Sequence, residues 1–138
     1  MSDSELQAFL DRTRPALLGV VATLRRDGAP HAVPVWFRWD GAAARIWTDE
    51  RRAWVRNALR DPRVAFSVQE IEPPYAAVVM HGRAEIATGG EDTDAEIRRI
   101  TRRYIDAADV ERYVAGWAHL RTIVAVRPDS VSSWGRGY

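Results

Sequence analysis

The stretch of this chain best equipped for chemistry is Trp47 to Val64, WTDERRAWVRNALRDPRV, where a β-branched and aromatic run passes straight into an arginine-rich segment of helical period. Thr48 is placed to cap the coming helix. The free N–H groups of a first helical turn, together with the forked donors of Arg51, Arg52 and Arg56, make a set that could hold a phosphate by dipole, backbone and side chain at once. The same residue types also suit a solvated basic face whose arginines pair with Glu50 or Asp61, and spacing alone leaves both readings open. All 20 cationic side chains are arginine, so every basic site carries a planar fork matched to phosphate or carboxylate oxygens. Six tryptophans in 138 residues add large flat apolar faces, each with one polar handle.

Other chemistries find no support. There is no cysteine, which removes disulfides, thiolate metal sites and a cysteine nucleophile together. His31, His81 and His119 are far apart and show no paired ligand spacing, so no metal site is expected. No G-x-S-x-G elbow, P-loop or G-x-G-x-x-G fingerprint occurs, and no carboxylate stands in an apolar run that would raise its pKa for acid–base work. The pairs Arg98-Arg99 and Arg102-Arg103 read as the solvated face of a helix. With a net charge of +1, no long-range attraction to nucleic acid is expected. No apolar run approaches a membrane span, and the N-terminal MSDSELQAFLDRTR is polar where a signal peptide needs an apolar core, so a cytoplasmic protein is expected.

The elements that must position these residues follow from periodicity. Leu6, Phe9 and Leu10 recur at helical spacing over Ser4 to Arg12, with Ser2 or Ser4 available as N-cap. Ala16–Leu24, His31–Trp39 and Ala44–Thr48 read as three antiparallel strands of a meander, turned by Asp27-Gly28 and Asp40-Gly41. Asp49–Arg60 is a helix ended by Pro62, with Trp54, Val55, Ala58 and Leu59 clustered on one face. Val64–Glu70 and Tyr75–Ala87 are further strands, and Gly82 marks a bulge or a close backbone approach. Asp94–Tyr104 and Asp109–Ala118 read as helical, and Arg121–Arg127 and Asp129–Trp134 as closing strands. Six to seven antiparallel strands with short helices make a mainly β chain with minor α, which suits a small barrel formed by residues 1–138 as one domain.

On these residues the chain resembles the split β-barrel flavin and deazaflavin oxidoreductases related to pyridoxamine-phosphate oxidase, in their F420-dependent subgroup. The resemblance is carried by GVVATLRRDGAPHAVPVWFRWD (Gly19 to Asp40), VRNALRDPRV (Val55 to Val64), PPYAAVVMHGRAEI (Pro73 to Ile86) and VRPDSVSSW (Val126 to Trp134), in the family's order. It implies a homodimer with the cofactor between protomers, and an F420-dependent reductase passing a hydride to a small conjugated substrate. By the same resemblance Val33, Pro34, Val35 and Trp36 lie against the cofactor ring, and Trp47, Thr48, Arg51, Arg52, Arg56 and Asn57 hold its phosphate and tail. Tyr75 and Trp134 approach a cofactor held mainly by the partner chain. One position departs from the pattern: many members carry a lysine three residues before the Asn of the Arg-Asn pair, where this chain has Trp54. An aromatic face there either stacks on a ring or packs in the core. An FMN enzyme of the same fold and a non-catalytic module binding a flavin, haem or other planar ligand are the alternatives. A cofactor that carries the hydride relieves the protein of supplying a nucleophile, which agrees with the motifs that are missing.

Overall fold

The structure is a computed structural model and describes residues 1–135. Helix α1 (Asp3–Asp11) begins at a capping box, with the Ser2 hydroxyl accepting from the Glu5 N–H and the Glu5 carboxylate accepting from the Ser2 N–H. Strands β1 (Gly19–Leu24) and β2 (Pro30–Val35) form a hairpin around Gly28, whose φ of 85° only glycine adopts without strain. Strands β3 (Arg38–Trp39) and β4 (Ala44–Thr48) form a second hairpin at Gly41. Helix α2 (Ala53–Arg60) leads to β5 (Arg63–Gln69), and β6 (Ala77–Thr88) precedes helix α3 (Glu91–Thr101). A 3-10 turn at Ala107–Asp109 runs into helix α4 (Val110–Gly116), and β7 (Thr122–Trp134) closes the fold.

All seven strands belong to one antiparallel sheet in the order β2-β1-β5-β6-β7-β4-β3. The three-strand meander expected from the sequence is not formed. The run His31–Trp39 breaks at Trp36 and Phe37, and its two parts become β2 and β3 at opposite edges of the sheet. That break dictates the shape. Three peptide steps from Val35 to Arg38 reach at most about 11 Å, whereas the edges of a flat seven-stranded sheet stand roughly 29 Å apart. The sheet must therefore curl until its edges nearly meet, giving a mainly β split barrel with short helices. The two closing strands expected at the C-terminal end are instead one, β7, paired with β6 along its whole length.

Gly82 has the role its position suggested. The β6–β7 register shifts between His81 and Gly82, and a Cβ on Gly82 would lie 1.9 Å from the Arg127 carbonyl oxygen. Inside the barrel, Val21, Phe37, Ile46, Val55, Phe66, Met80, Val124 and Val126 form one buried cluster, with Phe37 and Phe66 edge to face at 5.2 Å. A satellite cluster of Ile97, Ile100 and Ile123 seats α3 against the sheet.

One side-chain expectation changes. Arg103 does not lie on a solvated face: its guanidinium donates to the Leu10 and Arg12 carbonyls and lies 5.1 Å from the Phe37 ring centroid. Its neighbours Arg98 and Arg99 pair with Glu111 and Glu96. Glu96 is a buried carboxylate, and two arginines, Arg38 and Arg99, compensate it.

Candidate functional site

Because β3 is only two residues long, it pairs with Arg45 and Ala44 of β4 and leaves Ile46–Thr48 without a strand partner on that side. The split between this bare stretch and the free edge of β2 holds a cavity of about 450 Å³, within the range of small-molecule sites. Val33, Pro34, Val35 and Trp36 line it from β2 and the crossover, Trp47 and Thr48 from β4, and Arg52 and Trp54 from the start of α2. Tyr113, Trp117 and Leu120 close it from α4 and the turn beyond.

The aromatic wall is held from behind. Trp36 stacks on Tyr104 at 4.8 Å and on Tyr113 at 5.4 Å, and Trp47 meets Tyr113 edge-on at 6.2 Å. The Trp47 indole N–H donates to the Leu120 carbonyl at 2.6 Å, tying β4 to the α4–β7 turn. Trp54 packs in the barrel core, and it also lines the cavity.

The polar part of the wall is small. Thr48 does not cap α2, which starts at Ala53 with Arg52 as N-cap and no capping side chain. Instead the Thr48 side chain is buried, and its hydroxyl has no hydrogen-bond partner among the described residues. Such a group is unfavourable unless something else satisfies it. Arg52 is the one charged residue lining the cavity and has no ion pair among the described residues.

The other expected residues are placed elsewhere. Arg51 grips Asp49 through Nε and Nη2, the latter at 2.6 Å. That bond to Arg51 holds the Asp49 carboxyl at about 2, against an ordinary 3.8. Arg51 therefore pairs with neither Glu50 nor Asp61, and it does not line the cavity. Arg56 is exposed on α2, away from the lining. Asn57 is buried between α2 and β1, donating to the Thr23 hydroxyl at 3.2 Å and accepting from Arg60. Tyr75 and Trp134 sit at the end of the β6–β7 pair remote from the Thr48–Thr122–Thr88 rung. Trp134 lies on β7, four strands from β2 in the order of the sheet. Neither lines the cavity of its own chain. Sequence reasoning missed Tyr113, Trp117 and Leu120. The signal was present as an aromatic pair at i, i+4, one face of a helix.

A second cavity of about 460 Å³ lies around Ala22, Ala65, Gly82 and Arg83, without an unpartnered buried polar atom among its described residues. The first combines aromatic faces, an orphaned hydroxyl and an uncommitted guanidinium. Those residues fit a flat ring system with an anionic tail.

A curled seven-stranded sheet with a cavity in the split defines a split-β-barrel protein. The chain belongs to the pyridoxamine 5'-phosphate oxidase family, whose model matches residues 2–135. It is 33% identical to a 5a,11a-dehydrotetracycline/5a,11a-dehydrooxytetracycline reductase of Streptomyces rimosus over 120 residues, covering 78% of this chain and 84% of the relative. Among solved structures it is similar to an F420 reductase at 31% identity and a TM-score of 0.70, covering 91% of this chain and 94% of that one. A conserved hypothetical protein of Mycobacterium tuberculosis, at 24% identity, shares the fold with a TM-score of 0.80, covering 97% of this chain and 84% of that one. Among the described residues no helix is long and apolar enough to cross a membrane.

Proposed function

We propose that this protein is an oxidoreductase that binds the deazaflavin coenzyme F420 in the cavity between β2, β4 and α2 and reduces a small conjugated organic substrate. The observation that carries the reading is the buried, unpartnered Thr48 hydroxyl beside the uncommitted Arg52 in an otherwise aromatic cavity. The similarity to a named reductase and to an F420 reductase supports the same reading.

The chain's own groups divide the work. Val33, Pro34, Val35 and Trp36 offer an apolar edge for a ring, Thr48 a hydroxyl donor, and Arg52 a fork for phosphate or carboxylate. Arg56, exposed one turn further along α2, reaches the same tail beyond the cavity rim. The cation missing at Trp54 is thus supplied from two residues earlier. Bound F420 supplies the hydride; the protein orients the ring and keeps water from it.

The site is completed by a second copy of the chain. Leu18, Val20, Ile71, Tyr75 and Val131 are large apolar residues exposed at 40–69%. By register they gather at one end of the sheet, around the Gly19–Val68–Val78–Ser133 rung. Pairing there removes them from water and brings Tyr75 and Trp134 toward the partner's cavity.

The test is a fluorescence titration with F420 and with FMN on protein from a host that makes no deazaflavin, alongside the visible spectrum and the mass in solution. A colourless dimer that binds F420 at micromolar levels or tighter and ignores FMN is the expected result. A yellow protein supports the FMN enzyme instead, and binding of neither supports a non-catalytic module.

A further inference from the structure

We propose that Tyr113 of α4 and Trp117, which caps the end of that helix, select the acceptor substrate by its ring, and that Trp117 separates the acceptor from a second compartment beneath α4. The inference rests on the cofactor reading above and assigns the half of the cavity which that reading leaves unused.

The cavity has two unlike halves. Thr48 and Arg52, its donor groups for an anionic tail, both come from β4 and the start of α2. The α4 side contributes Tyr113, Trp117 and Leu120, with no charge at all. A ring held over β2 by its tail leaves its other face toward α4. Whatever accepts its electrons must lie against these aromatic side chains.

The two sides also differ in how firmly they are held. The strand residues belong to the barrel sheet, whereas α4 is seven residues long and buries only Val110. A bond from Arg98 to Glu111, whose side chain is 69% exposed, holds the start of α4 to α3. An element with so little buried surface adjusts at little cost. Trp117 itself is 43% exposed, so its ring has an apolar face free to cover a flat partner.

Beneath α4 lies a cavity of about 300 Å³, flanked by Ile97, Val114 and Ala115. Trp47, Trp117 and Leu120 line both this space and the main cavity, so they form the partition between them. The charges at its edge are matched, Arg98 with Glu111 and Arg121 with Asp94. A balanced rim around apolar walls suits a neutral flat molecule rather than an anion. The uncharged aromatic α4 side of the main cavity makes the acceptor class an uncharged, planar, conjugated ring system, its size limited by the Trp117 partition.

The experiment measures equilibrium dialysis of coumarin, a flat bicyclic lactone, and psoralen, its tricyclic extension. The proteins are the wild type, Trp117→Ala, Tyr113→Ala and Tyr113→Phe, each with and without saturating F420. F420 affinity is titrated in parallel. Loss of one aromatic partner weakens coumarin about tenfold in Trp117→Ala, with F420 affinity unchanged within about twofold, whereas Tyr113→Ala, which also takes away a stacking partner of Trp36, weakens both ligands. Tyr113→Phe keeps both ring contacts and binds coumarin as the wild type does. In Trp117→Ala the opened partition raises the preference for psoralen over coumarin, a shift that general loosening of the fold would not give. The proposal is overturned if the wild type binds neither lactone, if Trp117→Ala leaves both affinities unchanged, or if coumarin and F420 weaken together in Trp117→Ala. Should the wild type take up no F420, the cofactor reading fails by itself. The Trp117→Ala comparison on cofactor-free protein then still decides the assignment of α4.

Discussion

The Trp36 indole lies on the Tyr104 ring with 4.8 Å between centroids and 8° between planes. This contact joins the cavity to the device that closes the barrel. The Tyr104 hydroxyl donates to the Leu17 carbonyl at 2.7 Å and accepts the Phe37 N–H at 3.2 Å, so one side chain pins the crossover at the residue after Trp36.

Tyr104→Phe keeps the stack and removes the pin. It is expected to destabilise the protein by about 1–3 kcal/mol, because two part-buried backbone groups lose their partner, and to loosen ring binding at Trp36. Chemical denaturation of the two proteins measures this. Burial pushes the Tyr104 hydroxyl above its ordinary 10.0. The unfolded chain then ionises first, so stability is intact below about pH 10 and falls as the pH rises past it. The phenylalanine variant lacks that share of the alkaline loss.

Thr48→Val tests the orphaned hydroxyl in two directions at once. Without ligand the valine has no buried polar atom to leave unsatisfied, so the variant is expected to gain about 1 kcal/mol, read as a rise of a few degrees in Tm. With ligand it lacks a donor, and F420 affinity falls about tenfold. A parallel loss of stability and affinity would contradict the assigned role.

Gly82→Ala forces a Cβ to within 1.9 Å of the Arg127 carbonyl oxygen, which is backbone and cannot swing aside. The bulge must open, at a cost of about 1–3 kcal/mol. Thermal unfolding checks this, and Gly28→Ala provides a contrast in which strain comes from the positive φ with nothing within 4 Å to clash.

Asp49→Asn removes an acid-sensitive contact. Arg51 holds the Asp49 carboxyl at about 2, so its ion pair contributes fully above the ordinary 3.8 and is lost as the pH falls toward 2. The wild type is expected to lose stability across that window more steeply than the asparagine variant. Thermal scans from about pH 5 to pH 2 give both slopes.

Much of this fold was legible locally. The Asp-Gly turns at 27–28 and 40–41, the apolar runs of β1, β4 and β5, and the helix ended by Pro62 follow from backbone preference and short-range period. The break between β2 and β3 was not, because Val35, Trp36 and Phe37 continue a strand-like composition and only the tertiary pairing of the two parts with different strands reveals it. At the site, the edge residues Val33 to Trp36 and the pair Trp47 and Thr48 stood out by type and by resemblance. Arg51 could not be told from Arg52, because the difference is whether Asp49 lies within reach of the guanidinium. Tyr113 and Trp117 were hidden for a related reason: an aromatic pair on a helix face most often packs into a core, and only the tertiary arrangement turns this one toward a cavity.

The measurement that bears most directly on the central claim is oxidation of reduced F420 by a conjugated enone, followed by the return of deazaflavin absorbance with and without the protein. The account predicts a protein-dependent rate that falls at least tenfold in Arg52→Ala, the one charged side chain lining the cavity. Tight FMN binding with no protein-dependent oxidation of reduced F420 would contradict it.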